Sequence, residues 1–152
     1  MLDRETNTLE KEYFNYWLNI EMKRAKRYQY CVSLLMLEIN GNSEGKDLSD
    51  IIAALDLVRS EIREFDIIGR QDVSRFSLLI SYTDERSTFL VGERIRGQLQ
   101  ALFLPPGQTS EKAFYLGGCC YPTHVTSFSD IMGKAGQMLD EAKKTGKRLV
   151  LP

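Results

Sequence analysis

The sequence predicts a mixed α/β fold with a central sheet flanked by helices. Three observations predict it. Long segments with helical spacing alternate with short apolar runs. Two of those runs are separated by only a tight turn, which inserts a hairpin among strand-helix-strand units. One run, Cys31 to Ile39, is apolar almost throughout, as a strand covered on both faces must be. The 152 residues suit one domain, assigned to residues 1–152. A hydrophobic share of 43% and a charged share of 27% exclude disorder over most of the length. Twenty basic against 21 acidic residues leave a net charge of -1, which is no signature of a nucleic-acid binder.

The elements follow in order. Thr6 to Tyr28 reads as a long helix, because Phe14, Trp17, Leu18 and Met22 share one face. The apolar strand 31–39 ends at Asn40-Gly41-Asn42, a turn signal. Asp47 to Glu64 is helical through Ile51, Ile52, Leu55, Val58 and Ile62, with Asp47 or Ser49 as its cap. Strands at 67–70 and 76–82 form the hairpin around Asp72 to Ser74. Asp84 to Leu102 is a helix with Phe89, Ile95 and Leu99 inward, broken by Pro105-Pro106-Gly107. A strand at 114–121, a helix from Ser127 to Lys144 closed by Gly146, and a strand at 148–151 complete a sheet of five strands.

Three cysteines, two of them adjacent and all in apolar runs, read as buried reduced thiols rather than a disulfide framework. With no cleavable signal pattern and no apolar stretch near the ~20 residues of a membrane span, the expectation is a cytoplasmic protein without membrane insertion.

Several stretches then combine. Glu21 to Arg27 fits ExxRAxR, and Leu34 to Asn40 (LLMLEIN) fits LLMLDID. Arg59 to Arg70 fits LRxxxRxxDxxxR, Phe76 to Thr83 fits FxxLLPxT, and Gly92 to Arg96 fits AERIR. Ala142 to Lys147 fits AKxxGR. In order and spacing these resemble the GGDEF domains of bacterial diguanylate cyclases over essentially the whole chain. The resemblance implies a nucleotide-cyclase, palm-like mixed sheet with the hairpin at the signature motif.

The signature itself is replaced by Asp72-Val73-Ser74-Arg75-Phe76. In the family its glycines let the backbone approach a triphosphate; Val73 is costly at φ > 0, and Asp72 sets a carboxylate near phosphate. The two acidic positions become Ser74 and Arg75, although magnesium takes oxygen ligands, chiefly carboxylates. The other metal carboxylate is Glu38, one methylene longer than Asp, and the next acidic position is Asn40. The guanine-reading segment between Glu38 and Arg59 is shortened, and the opening DxLTGLxNRRxF keeps only Asp3, Thr6 and Phe14. The expectation is loss of cyclase activity, no catalytic residue, no metal and no cofactor.

Arg63-Glu64-Phe65-Asp66 keeps RxxD at the position of the family's inhibitory site, and Arg94 matches the arginine that completes it. The resemblance implies cyclic di-GMP as a regulatory ligand of Arg63, Asp66 and Arg94, with Arg59 adding positive field. The chemistry suits it: a guanidinium donates to guanine O6 and N7 or to phosphate. On an exposed helix, RxxD by itself is an ion pair worth ~0.3–0.5 kcal/mol. Lys143 and Lys147 match triphosphate contacts, but they also suit the negative end of a helix. Arg75 pairing directly with phosphates is a further option. Tyr13, Phe14, Tyr16 and Trp17 read as core plus a docking surface. The expectation is a non-catalytic cyclic di-GMP receptor with a protein partner or homodimer. The alternatives are an interaction module with no nucleotide and a GTP-binding regulatory domain.

Overall fold

The computed structural model describes residues 1–39, 48–104 and 114–152. Asn40-Gly41-Asn42, the cap candidate Asp47 and Pro105-Pro106-Gly107 lie outside the described residues. In chain order the elements are β1 (Leu9–Glu10), α1 (Lys11–Tyr28), β2 (Val32–Ile39), α2 (Leu48–Glu61) and β3 (Ile67–Arg70). Then come β4 (Arg75–Ser81), α3 (Glu85–Phe103), β5 (Phe114–Tyr121), α4 (Phe128–Thr145) and β6 (Leu149–Val150). The sheet order is β1-β3-β4-β2-β5-β6. β1 is parallel to β3 and β5 to β6; the central pairs β3–β4, β4–β2 and β2–β5 are antiparallel. The mixed α/β class is as expected, with six strands instead of five.

Every residue of β2 is buried, and its alternation feeds two cores. Leu35, Leu37 and Ile39 pack with α2 and α3 through Leu55, Val58, Ile95 and Leu99. Leu34 and Met36 face α1 and α4 through Phe14, Leu18, Ala135 and Leu139. Gly117 of β5 allows the closest approach on that side: a Cβ there would lie 2.1 Å from the Leu139 backbone nitrogen. The missing side chain lets α4 close onto the sheet. Lys143, one turn after Leu139, thereby reaches the end of β2.

The start of the first helix differs from the sequence expectation for a physical reason. The first helix begins at Lys11, because residues 1–10 fold back on themselves. The Asp3 carboxylate accepts from the Thr6 amide at 2.9 Å and from its hydroxyl at 2.5 Å, and Leu9 and Glu10 pair with Gly69 and Arg70. A two-residue strand is too short to show a period. Asp84 and Ser127 cap α3 and α4 by accepting from the amides of Ser87 and Asp130, and Gly146 ends α4 at φ 79°. Ser49, a cap candidate for α2, lies inside that helix. Phe89, expected inward, is 43% exposed, and Trp17 is 48% exposed. Both sit at the edge of an apolar stripe whose centre the neighbouring aliphatic residues occupy. Among the described residues, no helix is long and apolar enough to cross a membrane.

Candidate functional site

The β3–β4 hairpin carries candidate residues at both ends. At its turn, Gln71 and Asp72 donate their amides to the Arg75 carbonyl at 2.8 and 3.2 Å, and the Val73 amide donates to the Asp72 carboxylate at 2.8 Å. Val73 is exposed, and its φ is not positive; among the described non-glycine residues only Asn7, Gln29 and Tyr82 have φ > 0. The turn therefore forms without the backbone freedom of glycine. Arg70 braces it, donating to the Val73 carbonyl at 2.7 Å and pairing with Asp3 at 3.0 Å and Glu5 at 2.8 Å. Asp3 sits below its usual range: burial opposes this, but the Thr6 hydrogen bonds and Arg70 outweigh it.

Sheet register sets Arg75 directly opposite Glu38. The Arg75 guanidinium donates to Glu38 Oε1 at 2.8 and 3.1 Å, and Lys143 Nζ lies 2.5 Å from Oε2. Glu38 is 7% exposed. Burial would raise its carboxyl, but the hydrogen bonds and charges of Lys143 and Arg75 hold it below the ordinary glutamate range. The Ser74 carbonyl accepts from the Ile39 amide at 2.9 Å, tying the turn to β2. Lys147, exposed beyond the end of α4, is not among the cations on Glu38. Asn40 lies outside the described residues. No cluster of three or more His, Cys, Asp or Glu suited to a metal ion occurs among the described residues.

At the opposite end of the hairpin, Asp66 follows α2 with its side chain 1% exposed. Its carboxylate accepts from the Arg63 amide at 2.9 Å, the Arg63 Nε at 3.4 Å and the Ser81 amide at 3.4 Å. Arg63 Nη2 donates to the Thr83 hydroxyl at 2.8 Å and to the Ser81 carbonyl, and its guanidinium lies 4.8 Å from the centre of the Phe65 ring. From α3, Arg94 Nε donates to Glu61 at 3.1 Å. Arg63, Asp66, Tyr82, Thr83, Leu90 and Arg94 line one cavity of about 270 Å³.

The structure thus brings Arg63, Asp66 and Arg94 to one cavity, as the resemblance implied, and places Arg59 with Arg63 and Asp66 on a neighbouring cavity of about 410 Å³. Arg59 donates to the carbonyls of Thr6 and Asn7 at 2.9 and 3.2 Å, so its charge serves the N-terminal segment. Asp66 is also placed differently from a free ligand acceptor, since its oxygens already hold Arg63 and the end of β4. Glu61, Ser81, Thr83 and Tyr82 were not singled out from sequence; no local pattern marks a residue that reaches the cavity from another strand or helix. Cys119 and Cys120 are buried, and burial together with the neighbouring Cys120 pushes the Cys119 thiol up to about 12. That thiol is inert at neutral pH.

The family model "Diguanylate cyclase, GGDEF domain" matches residues 1–149, and the chain belongs to this family. A curated relative, "Probable diguanylate cyclase DgcT" of Escherichia coli, is 24% identical over 98% of the chain. The chain spans 35% of that relative's length. The fold is shared with diguanylate cyclase SiaD of Pseudomonas aeruginosa, solved with its activator SiaC, at TM-score 0.83 and 22% identity over 99% of this chain and 61% of that one. It is also shared with the GGDEF domain of DgcB from Caulobacter crescentus, solved with c-di-GMP, at TM-score 0.82 and 17% identity over 99% and 92%.

Proposed function

We propose that this GGDEF domain is a non-catalytic receptor that takes cyclic di-GMP at the Arg63–Arg94 cavity. The observation that carries it is the contrast between a carboxylate already neutralised by Arg75 and Lys143 and a cavity into which two guanidiniums open. At the first place a divalent ion would have to displace both cations from Glu38. Ser74 and Arg75 stand where the resemblance calls for carboxylates, so the residues present do not fit magnesium. The same ion pairs argue against GTP, because Arg75 and Lys143 are engaged with Glu38.

The cavity suits one guanine and its phosphate, with the rest of a dinucleotide outside it. Arg63 is positioned by Asp66, Ser81 and Thr83, and Arg94, its own side chain 54% exposed, is held by Glu61 through a pair that a phosphate can replace. In this reading Asp66 is a positioning residue, and Arg63 and Arg94 touch the ligand. That DgcB was solved with c-di-GMP supports the ligand class.

Calorimetric titration with cyclic di-GMP tests the reading. Arg63→Ala is expected to weaken binding ~5- to 150-fold, the loss of ~1–3 kcal/mol that goes with a bidentate guanine contact. Arg94→Ala should weaken it less. Absence of heat at hundreds of micromolar ligand, or turnover of GTP by the wild type, would overturn it. A second reading, a docking module without nucleotide, is favoured by the edge-to-face pair Tyr16–Trp17 on the exposed side of α1, 5.6 Å apart.

A further inference from the structure

Tyr82 follows β4 and is a bulky residue at φ 54°. That region suits glycine, and a large side chain there is an outlier that the surroundings must hold in place. Its ring stacks on Tyr30, with centroids 4.2 Å apart and planes 22° from parallel. Tyr30 is fixed in turn, since its hydroxyl donates to Glu21 at 2.8 Å. Tyr82 is nevertheless 60% exposed. With Tyr30 against one face of the ring, most of the residue still stands open to solvent.

Core packing does not account for a strained, exposed aromatic ring. Its place in the fold suggests what does. Tyr82 lines the Arg63–Arg94 cavity and also a larger one of about 540 Å³ walled by Trp17, Phe65 and Leu79. It thus lines both the guanidinium-lined cavity and an aromatic one. A flat ring held rigid beside two guanidiniums is the arrangement that recognises a purine: the ring takes the base face and an arginine takes its edge or phosphate.

We infer that Tyr82, braced by Tyr30, is the stacking platform for a purine base at the Arg63–Arg94 cavity. This rests on the proposed cyclic di-GMP site and adds a residue that the RxxD pattern does not contain. The phenol oxygen has no part in stacking, so the ring and not the hydroxyl carries the effect. The stack adds affinity for any base with a large π-face, while Arg63 selects guanine.

The test is calorimetry with cyclic di-GMP, paired with thermal unfolding, on Tyr82→Phe, Tyr82→Leu, Tyr82→Gly and Arg63→Ala. Tyr82→Phe should bind within about twofold of wild type, and Tyr82→Leu and Tyr82→Gly roughly tenfold or more weakly. Tyr82→Gly relieves the positive φ, so its melting temperature should equal or exceed that of Tyr82→Leu even though its binding is weakened. A merely structural residue would instead lose affinity in step with melting temperature. If Arg63→Ala weakens binding while Tyr82→Leu and Tyr82→Gly match wild type, the platform is wrong and the receptor reading stands. If wild type binds no cyclic di-GMP, both fall.

Discussion

At the turn of the β3–β4 hairpin, Arg75 and Lys143 share a carboxylate that is 7% exposed. At the other end, Arg94 holds Glu61 with its own side chain 54% exposed, and Arg63 spends most of its hydrogen bonds on the neutral oxygens of Ser81 and Thr83. Both ends are rich in arginine and both contain acidic partners. They differ in how easily the charges can be exchanged. Breaking the group on Glu38 leaves a charge stranded in low dielectric, whereas Arg94 stands on the solvent side of its pair and can turn from Glu61 to water or an anion. Exposure of the cations, more than the count of charges, therefore separates the two ends.

The largest test breaks the buried end. In the double variant Arg75→Ala, Lys143→Ala, Glu38 has no cation, and denaturant unfolding should show a loss of ~3–5 kcal/mol. A loss near zero would mean that the pairs are as exchangeable as Arg94–Glu61. The second test sharpens the open end. Asp66→Asn keeps the shape but gives up charge-assisted bonds to Arg63 and Ser81, so stability should fall by ~1–3 kcal/mol. Cyclic di-GMP affinity should fall only as far as Arg63 is misplaced, and less than in Arg63→Ala. An equal loss would make Asp66 a direct ligand contact.

The smallest effect is in pH. Glu38 is held below its ordinary range when folded, so it binds fewer protons folded than unfolded. Its contribution to stability is complete above the unfolded value of about 4.3 and is lost as pH falls through the lower folded value. Asp3 acts in the same direction beside Arg70. Wild type should therefore lose stability on acidification below that value, and Glu38→Gln should show a shallower slope over the same window.

Much of the fold was legible because it rests on near-neighbour periodicity. The run 31–39 announced a strand buried on both faces, and Asp84, Ser127 and Gly146 marked helix ends by their own chemistry. Where local signals were weak the reading failed. Leu9–Glu10 is too short to show a period, and Phe89 lies at the margin of its stripe. The candidate residues divide in the same way. Arg63 and Asp66, three positions apart, were readable as a pair, whereas the contact of Arg59 with Thr6 depends on how the N-terminal segment folds back.

By itself the sequence determined the order of elements from α1 onward, the two faces of the central strand and the residues that stand at the signature positions. All of these are written in residue type and short spacing. The tertiary structure decided which charges are free. Glu38 meets Arg75 because antiparallel register sets them opposite, and it meets Lys143 because Gly117 lets α4 approach the sheet. Tyr82 stacks on Tyr30 only because the exit from β4 passes beside the end of α1. Contacts across tens of residues depend on register and layer spacing, and whether a charge is spent or available is a property of those contacts.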